Sequence, residues 1–285
     1  MIAHVAERGE EKGRVVLQVC TSRPSEIAFE AAIRIAQAYR SEVESLFVED
    51  QDLFELASFP FAREISLGGK ARPISFDSME RELRNAFASL HRKLEVLAEA
   101  AGVPVTRRVV RDNPLRALQA ACSECGPWNV IALADPFTSH SCASLQQLFD
   151  SIVGATGMVI VGPGTKRLHG RIVVLTDETD HLLNMLRVAE RLASLDETEI
   201  SICLISDGED ELAELEANAR LLLAGRDKFT MAASAVVRDP ASASEVLRRN
   251  RPGFVIARYG GLLVPAEGSL RALSLALECP LLLVR

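Results

Sequence analysis

The sequence predicts an α/β protein made of two tandem doubly wound parallel five-stranded sheets, on three observations. One pattern of short apolar runs occurs twice in the same order. Those runs are continuous in Val, Ile and Leu rather than alternating with polar residues, as expected of strands covered on both faces. Segments with helical spacing separate them, and strands joined through helices form parallel sheets by right-handed crossovers.

The duplication is read from matched segments. Gly13-Arg14-Val15-Val16-Leu17 returns as Gly170-Arg171-Ile172-Val173-Val174, and Val109-Val110-Arg111-Asp112 returns as Val236-Val237-Arg238-Asp239, each with a proline just after. Asn129-Val130-Ile131-Ala132 pairs with Phe254-Val255-Ile256-Ala257, and Met158 to Val161 pairs with Leu281 to Val284. The first match is offset by 157 positions and the second by 127, so the first copy holds 30 extra residues between these points.

Taken in order, the first copy is expected to hold strands near 14–20, 43–48, 104–110, 128–133 and 158–161. Its helices fall near 24–40, 76–101, 113–124 and 143–153; Ile27, Ala31, Ile33 and Ala36 set the spacing of the first. The second copy repeats the order, with strands near 171–176, 198–205, 231–237, 253–258 and 281–284. Its helices fall near 179–194, 208–224, 241–250 and 268–277. The expected organisation is a flexible tail over 1–13, a first domain over 14–163 with an insertion near 50–80, and a second domain over 170–285. The insertion concentrates Phe54, Phe59, Phe61 and Phe76 in a chain with only 5% aromatics, so an ordered segment is expected, either covering the ligand crevice or forming a partner surface.

Composition narrows the function. The 285 residues carry a net charge of −7, which supplies no broad positive field for a nucleic-acid backbone. The longest apolar stretch, Ala272 to Val284, is broken by Glu278 and Pro280 and is too short to span a bilayer, and the polar start lacks an export signal. Neither nucleic acid nor membrane is an expected partner. Six scattered cysteines in such a chain read as reduced thiols of a cytoplasmic protein.

In doubly wound sheets ligands sit outside the carboxyl ends of the strands where chain order reverses, which directs attention to the loops after the first and fourth strand of each copy. Five strands and four helices per copy, the Val109-x-x-Asp112-x-Pro114 turn and the closing Cys279-Pro-Leu-Leu-Leu-Val284 together resemble the universal stress protein family. The resemblance covers nearly the whole chain and is strongest from Ile172 to Asp177 and from Gly260 to Val284. It implies the adenine nucleotide alpha hydrolase-like strand order 3-2-1-4-5 and a built-in pseudo-dimer joined through the last strand of each half, with scope for a further homodimer.

Nucleotide-binding members of that family carry an aspartate ending the first strand and a Gly-x2-Gly-x9-Gly-Ser/Thr loop after the fourth. Glycines let backbone N–H groups approach phosphate oxygens, and a helix N-terminus adds unsatisfied donors. The first copy departs from this, with Cys20 at the aspartate position, Asp135-Pro136 at the first glycine and Ala143-Ser144 near the last. A carboxylate repels phosphate and proline lacks the donor, so no nucleotide is expected there. The second copy keeps Asp177, Gly260, Gly261, Gly268 and Ser269, but six residues rather than nine separate Gly261 from Gly268. Those five residues admit two readings: a nucleotide site, or a turn at Gly260-Gly261 with Asp177 as its acceptor and an N-cap at Gly268-Ser269. The structural reading is the stronger.

Other residue groups are weighed against plain structural roles. Cys122-x-x-Cys125 lies toward a helix C-terminus, where a thiolate is disfavoured, and lacks a second ligand pair for zinc. Cys20, His140 and Cys142, with Asp135 nearby, fall in loops of one crevice and could converge on a soft metal. Ser139-His140 lacks a nucleophile elbow. Arg248, Arg249 and Arg251 suit a helix end, and Arg107, Arg108 and Arg111 a charged strand end. The resulting expectation is a non-catalytic cytoplasmic universal stress-like protein, acting in stress response through an unidentified protein partner or small ligand, with no cofactor and no metal. The alternative is an ATP- or AMP-binding member that uses the second half, with slow hydrolysis.

Overall fold

The computed structural model describes residues 13–19, 25–66, 68–124, 128–134, 149, 150, 152, 154–238, 240–264 and 275–285. Residues 1–12 of the tail expected over 1–13, and most of the helices expected at 143–153 and 268–277, lie outside the described residues. The first half comprises β1 (Arg14–Gln18), α1 (Glu26–Tyr39), β2 (Glu42–Asp50), α2 (Gln51–Ser58), β3 (Arg63–Ile65), β4 (Ala71–Pro73), α3 (Phe76–Ala100), β5 (Val105–Asp112), α4 (Pro114–Ser123), β6 (Asn129–Ala134) and β7 (Ala155–Val161). The second comprises β8 (Ile172–Thr176), α5 (Leu182–Ala193), β9 (Ile200–Ser206), α6 (Glu209–Leu222), β10 (Phe229–Met231), β11 (Ala235–Val236), α7 (Pro240–Asn250), β12 (Phe254–Arg258) and β13 (Leu281–Val284).

The strands form one eleven-stranded sheet in the order β10-β9-β8-β12-β13-β7-β6-β1-β2-β5, with β11 also on β9. Within each half this is the order 3-2-1-4-5, all parallel. The halves meet where β13 pairs antiparallel with β7, Leu281 opposite Ile160 and Val284 opposite Gly157. Every side chain on β7 and β13 is buried, because both faces of the joint are covered.

Two apolar layers explain the continuous Val/Ile/Leu runs. One face of the sheet, carrying Val15, Leu17, Val43, Ile172, Val174 and Ile202, packs against α1, α3, α5 and α6. The other, carrying Val16, Ile131, Met158, Val173 and Leu283, packs against α4 and α7 together with Phe149 and Leu277. Each layer runs uninterrupted from one half into the other.

Local capping sets the helix starts. Ser25 and Asn113 each accept a backbone N–H at the N-termini of α1 and α4, and Pro114 opens α4 with the φ a first turn needs. The single third strand expected at 231–237 is two short ones. Phe229 to Met231 pair with residues 200–202 and Ala235-Val236 with 205–206, so three residues of this strand face two of β9. One extra residue breaks the ladder.

Polar contacts lock the halves together where α1 meets α5. Arg34, 5% exposed, donates to the Leu168 carbonyl at 2.6 Å and pairs with Asp196 at 2.7 Å, and His169 lies 3.1 Å from the same carboxylate. Burial pulls the Arg34 guanidinium down from its ordinary value, and Asp196 counters it. On the other side of this contact the Arg191 guanidinium sits 5.1 Å from the centre of the Tyr39 ring.

The described residues of the insertion form α2 and the β3-β4 hairpin. Its helix α2 buries Phe54, which meets Phe76 edge-on at 5.2 Å, and the Arg111 guanidinium lies 4.1 Å above the Phe54 ring. Glu49, 2% exposed, holds Arg111 at 2.7 Å and Arg84 at 3.0 Å. Burial by itself would raise this carboxyl; the hydrogen bonds and charges of the two arginines outweigh it and hold it below the usual carboxylate range. A second buried charge, Glu44, pairs with Arg14 beneath the end of α4, where Arg14 also donates to the Ala121 carbonyl at 2.6 Å.

Beneath α3, Ser45 Oγ lies 2.8 Å from His91 Nδ1, and Glu95 stands 3.2 Å from His91 Nε2. Burial lowers the His91 pKa from 6.5. The unfolded chain therefore takes up the proton first, and the folded state loses stability as pH falls through about 6.5 and on toward the lower folded value. Urea denaturation of wild type and His91→Gln at pH 7 and pH 5 is expected to show a smaller acid loss in the variant. Asp196→Ala strands the Arg34 charge at the junction and is expected to cost about 2 kcal/mol in the same assay, less than a fully enclosed pair because Asp196 is partly exposed.

Candidate functional site

Each half has a point where the chain leaves its first strand to one side and its fourth to the other. In the second half this point lies between β8 and β12. Asp177 follows β8 directly, and Gly260-Gly261 follow β12 after Arg258 and Tyr259. The structure brings these residues together: the Leu262 N–H donates to Asp177 Oδ2 at 2.5 Å. Gly260 has φ +85°, a left-handed conformation that glycine adopts without strain. A Cβ on Gly261 would lie 2.9 Å from Asp177 Oδ1, so glycine is what allows the carboxylate to close on the turn.

Two donors of the turn are used within it. The Gly260 N–H goes to the Val264 carbonyl at 2.9 Å, and the Val264 N–H to the Gly261 carbonyl at 3.1 Å. Gly268 and Ser269 lie outside the described residues. Beside Asp177, Glu178 stands 2.5 Å from His181 Nδ1 and 3.0 Å from Arg258 Nε. Thr176 clamps Glu178 through its hydroxyl, which donates to the Glu178 carbonyl at 2.7 Å. A carboxylate already held by the Leu262 amide, with a second carboxylate next to it and the nearby arginine engaged, disfavours a polyphosphate at this spot.

In the first half the corresponding point lies between β1 and β6. Cys20, Asp135, Pro136, Ser139, His140, Cys142, Ala143 and Ser144 all lie outside the described residues, so their expected convergence has no geometry here. What is described is a cavity of about 460 Å³ at the carboxyl ends of β6 and β7. Ala134 and Val161 form its floor, Phe29 and Leu90 its apolar walls, and Lys93 with Glu26, 3.1 Å apart, its rim. Thr165 also lines it, with its hydroxyl buried away from the opening. Apolar walls with a charged rim suit a small organic molecule.

The sequence pointed to the loop after the first strand but missed Phe29, Leu90, Lys93 and Thr165, because they come from α1, α3 and the connection after β7. Ser25-Glu26 at the start of α1 was the available signal. Two larger hollows, of about 580 Å³ beside Arg14 and Arg40 and about 840 Å³ beside Arg187 and Lys228, lie at the opposite ends of the strands, away from the switch points.

The remaining candidates resolve into structural roles. Cys122 is buried at the end of α4, and burial pushes its thiol up to about 12, as it does those of Cys203 and Cys279. Thiols held there do not form thiolates near neutrality. Cys125 lies outside the described residues. Arg248 and Arg249 pair with Glu245 in the last turns of α7, and Arg108 makes a two-pronged contact with Glu124. Ser45, His91 and Glu95 are the residue types of a nucleophilic relay, a group the sequence reading did not single out. Ser45 is fully buried, and its hydroxyl also contacts the Thr106 carbonyl at 3.1 Å, so no substrate reaches it. Among the described residues no group of three or more His, Cys, Asp or Glu could hold a metal, and no helix is long and apolar enough to cross a membrane.

No protein-family model and no curated protein matches the chain. Solved structures do. A universal stress protein from Archaeoglobus fulgidus superposes with a TM-score of 0.61 at 15% identity, over 96% of this chain and 97% of that one. A functionally unknown protein from Pseudomonas aeruginosa PAO1 gives 0.54 at 12% identity, over 95% and 92%. The cytoplasmic domain of a prokaryotic cation chloride cotransporter gives 0.56 at 12% identity, over 95% of each. With the order 3-2-1-4-5 present twice and the last strands paired, the chain has the universal stress protein fold.

Proposed function

We propose that the chain is a non-catalytic, cytoplasmic universal stress-like protein that acts in stress response by binding a small organic ligand or a protein, and that its second half holds no nucleotide. The observation that carries this is the turn after β12. Asp177 closes on the Leu262 N–H, and the Gly260 and Val264 donors are spent within the loop. A phosphate group would have to displace the carboxylate from the Leu262 N–H and compete with the turn's own bonds for the Gly260 and Val264 donors. The first-half cavity supports the small-ligand part of the reading, since a pocket with apolar walls lies at the carboxyl ends of β6 and β7, next to the switch point. The cysteines among the described residues, Cys122, Cys203 and Cys279, are buried and unpaired, which supports a reducing compartment.

A second reading is favoured by one observation, that Asp177 meets Gly260-Gly261 at the crevice. On it, Asp177, Gly260, Gly261, Gly268 and Ser269 hold ATP or AMP. Thermal unfolding separates the two. A site with a Kd of about 0.1 mM would add about 2 kcal/mol of stability at about 5 mM ligand. ATP with magnesium is expected to leave Tm unchanged. A rise of several degrees that Gly268→Val abolishes would replace the first reading with the second.

A further inference from the structure

We propose that the insertion of the first half is the contact surface of an isologous dimer between two copies of this chain. Leu53, Leu56, Phe59, Phe61, Ile65 and Phe76 are all exposed, Phe61 by 74% and Ile65 by 75%. They make up half of the twelve exposed large hydrophobic side chains among the described residues, gathered within 24 positions of a 285-residue chain. Such a concentration marks a contact surface. It is also preformed: Phe59 and Phe61 stack on each other at 5.3 Å, and α2 is pinned from below by Phe54 against Arg111. A surface held rigid loses little freedom on binding.

The charges name the occupant. Helix α2 carries the exposed acids Asp52 and Glu55, and the β3-β4 hairpin carries the exposed bases Arg63 and Lys70. None of the four has an ion-pair partner among the described residues, whereas Glu64 and Arg72 satisfy each other across the hairpin. From residue 51 to 73 acids and bases are equal in number, so the surface has no net sign to attract an acidic protein, a basic protein or an anionic membrane. A two-fold axis through the apolar centre is what uses this pattern. It lays the acidic helix of each copy over the basic hairpin of the other. The segment's size matches the roughly 20–30 residues per side of a standard interface. None of these residues lines the cavity between β1 and β6, so the dimer leaves that crevice open.

Sedimentation velocity on the full chain tests this. A dimer of the 31.0 kDa chain is expected, and Phe61→Glu is expected to weaken it at least about tenfold while the variant keeps the wild-type circular dichroism spectrum, because the side chain is exposed in the monomer. Asp52→Lys/Glu55→Lys and Arg63→Glu/Lys70→Glu are each expected to be monomeric alone and to form a heterodimer when mixed, since the swapped helix then faces a swapped hairpin. A wild-type chain monomeric up to about 100 μM overturns the proposal. So does a dimer indifferent to Phe61→Glu, or charge-swapped partners that stay apart on mixing. Co-sedimentation of a monomer with phosphatidylserine vesicles through Phe61 overturns it in favour of a lipid surface.

Discussion

The antiparallel pairing of β13 with β7 is the constraint from which the rest of the architecture follows. Each of these strands would otherwise end a parallel sheet as an open edge with unpaired backbone groups, a template for aggregation. Paired with each other, they turn two five-stranded units into one sheet and let a single apolar layer run along each face. The order 3-2-1-4-5 on either side then fixes where the switch points fall, and with them the two crevices.

The two crevices have become different kinds of place. In the second half a carboxylate closes a glycine turn and two acidic side chains share the space. In the first half apolar side chains from α1 and α3 wall a cavity whose rim carries the Lys93–Glu26 pair. The common fold therefore says little about ligand chemistry, which is carried by the few side chains at each strand end.

Sequence reading recovered the fold well because its evidence was redundant. Each strand run and each helical spacing appears twice, and the match of Gly13-Arg14-Val15 to Gly170-Arg171-Ile172 anchors both copies. It erred at 231–237, where the extra residue that splits β10 from β11 changes pairing without changing the apolar pattern. It found Asp177 with Gly260-Gly261, since a strand-end acid and a glycine pair are local signals. It did not find the cavity or the buried Ser45-His91 contact. Phe29, Leu90 and Thr165 are distant in the chain and ordinary in type, and only packing makes neighbours of them.

Fusing the two halves has freed a seam that symmetry would have tied. By the 157-residue offset, Arg34 corresponds to Arg191 and Asp196 to Tyr39, so the ion pair and the arginine over the aromatic ring are the same contact seen from opposite sides. Two identical subunits would have to carry both versions alike. Here a single gene edits each independently, and the junction combines an ion pair with a cation held over a ring, where a symmetric pair would repeat one of the two.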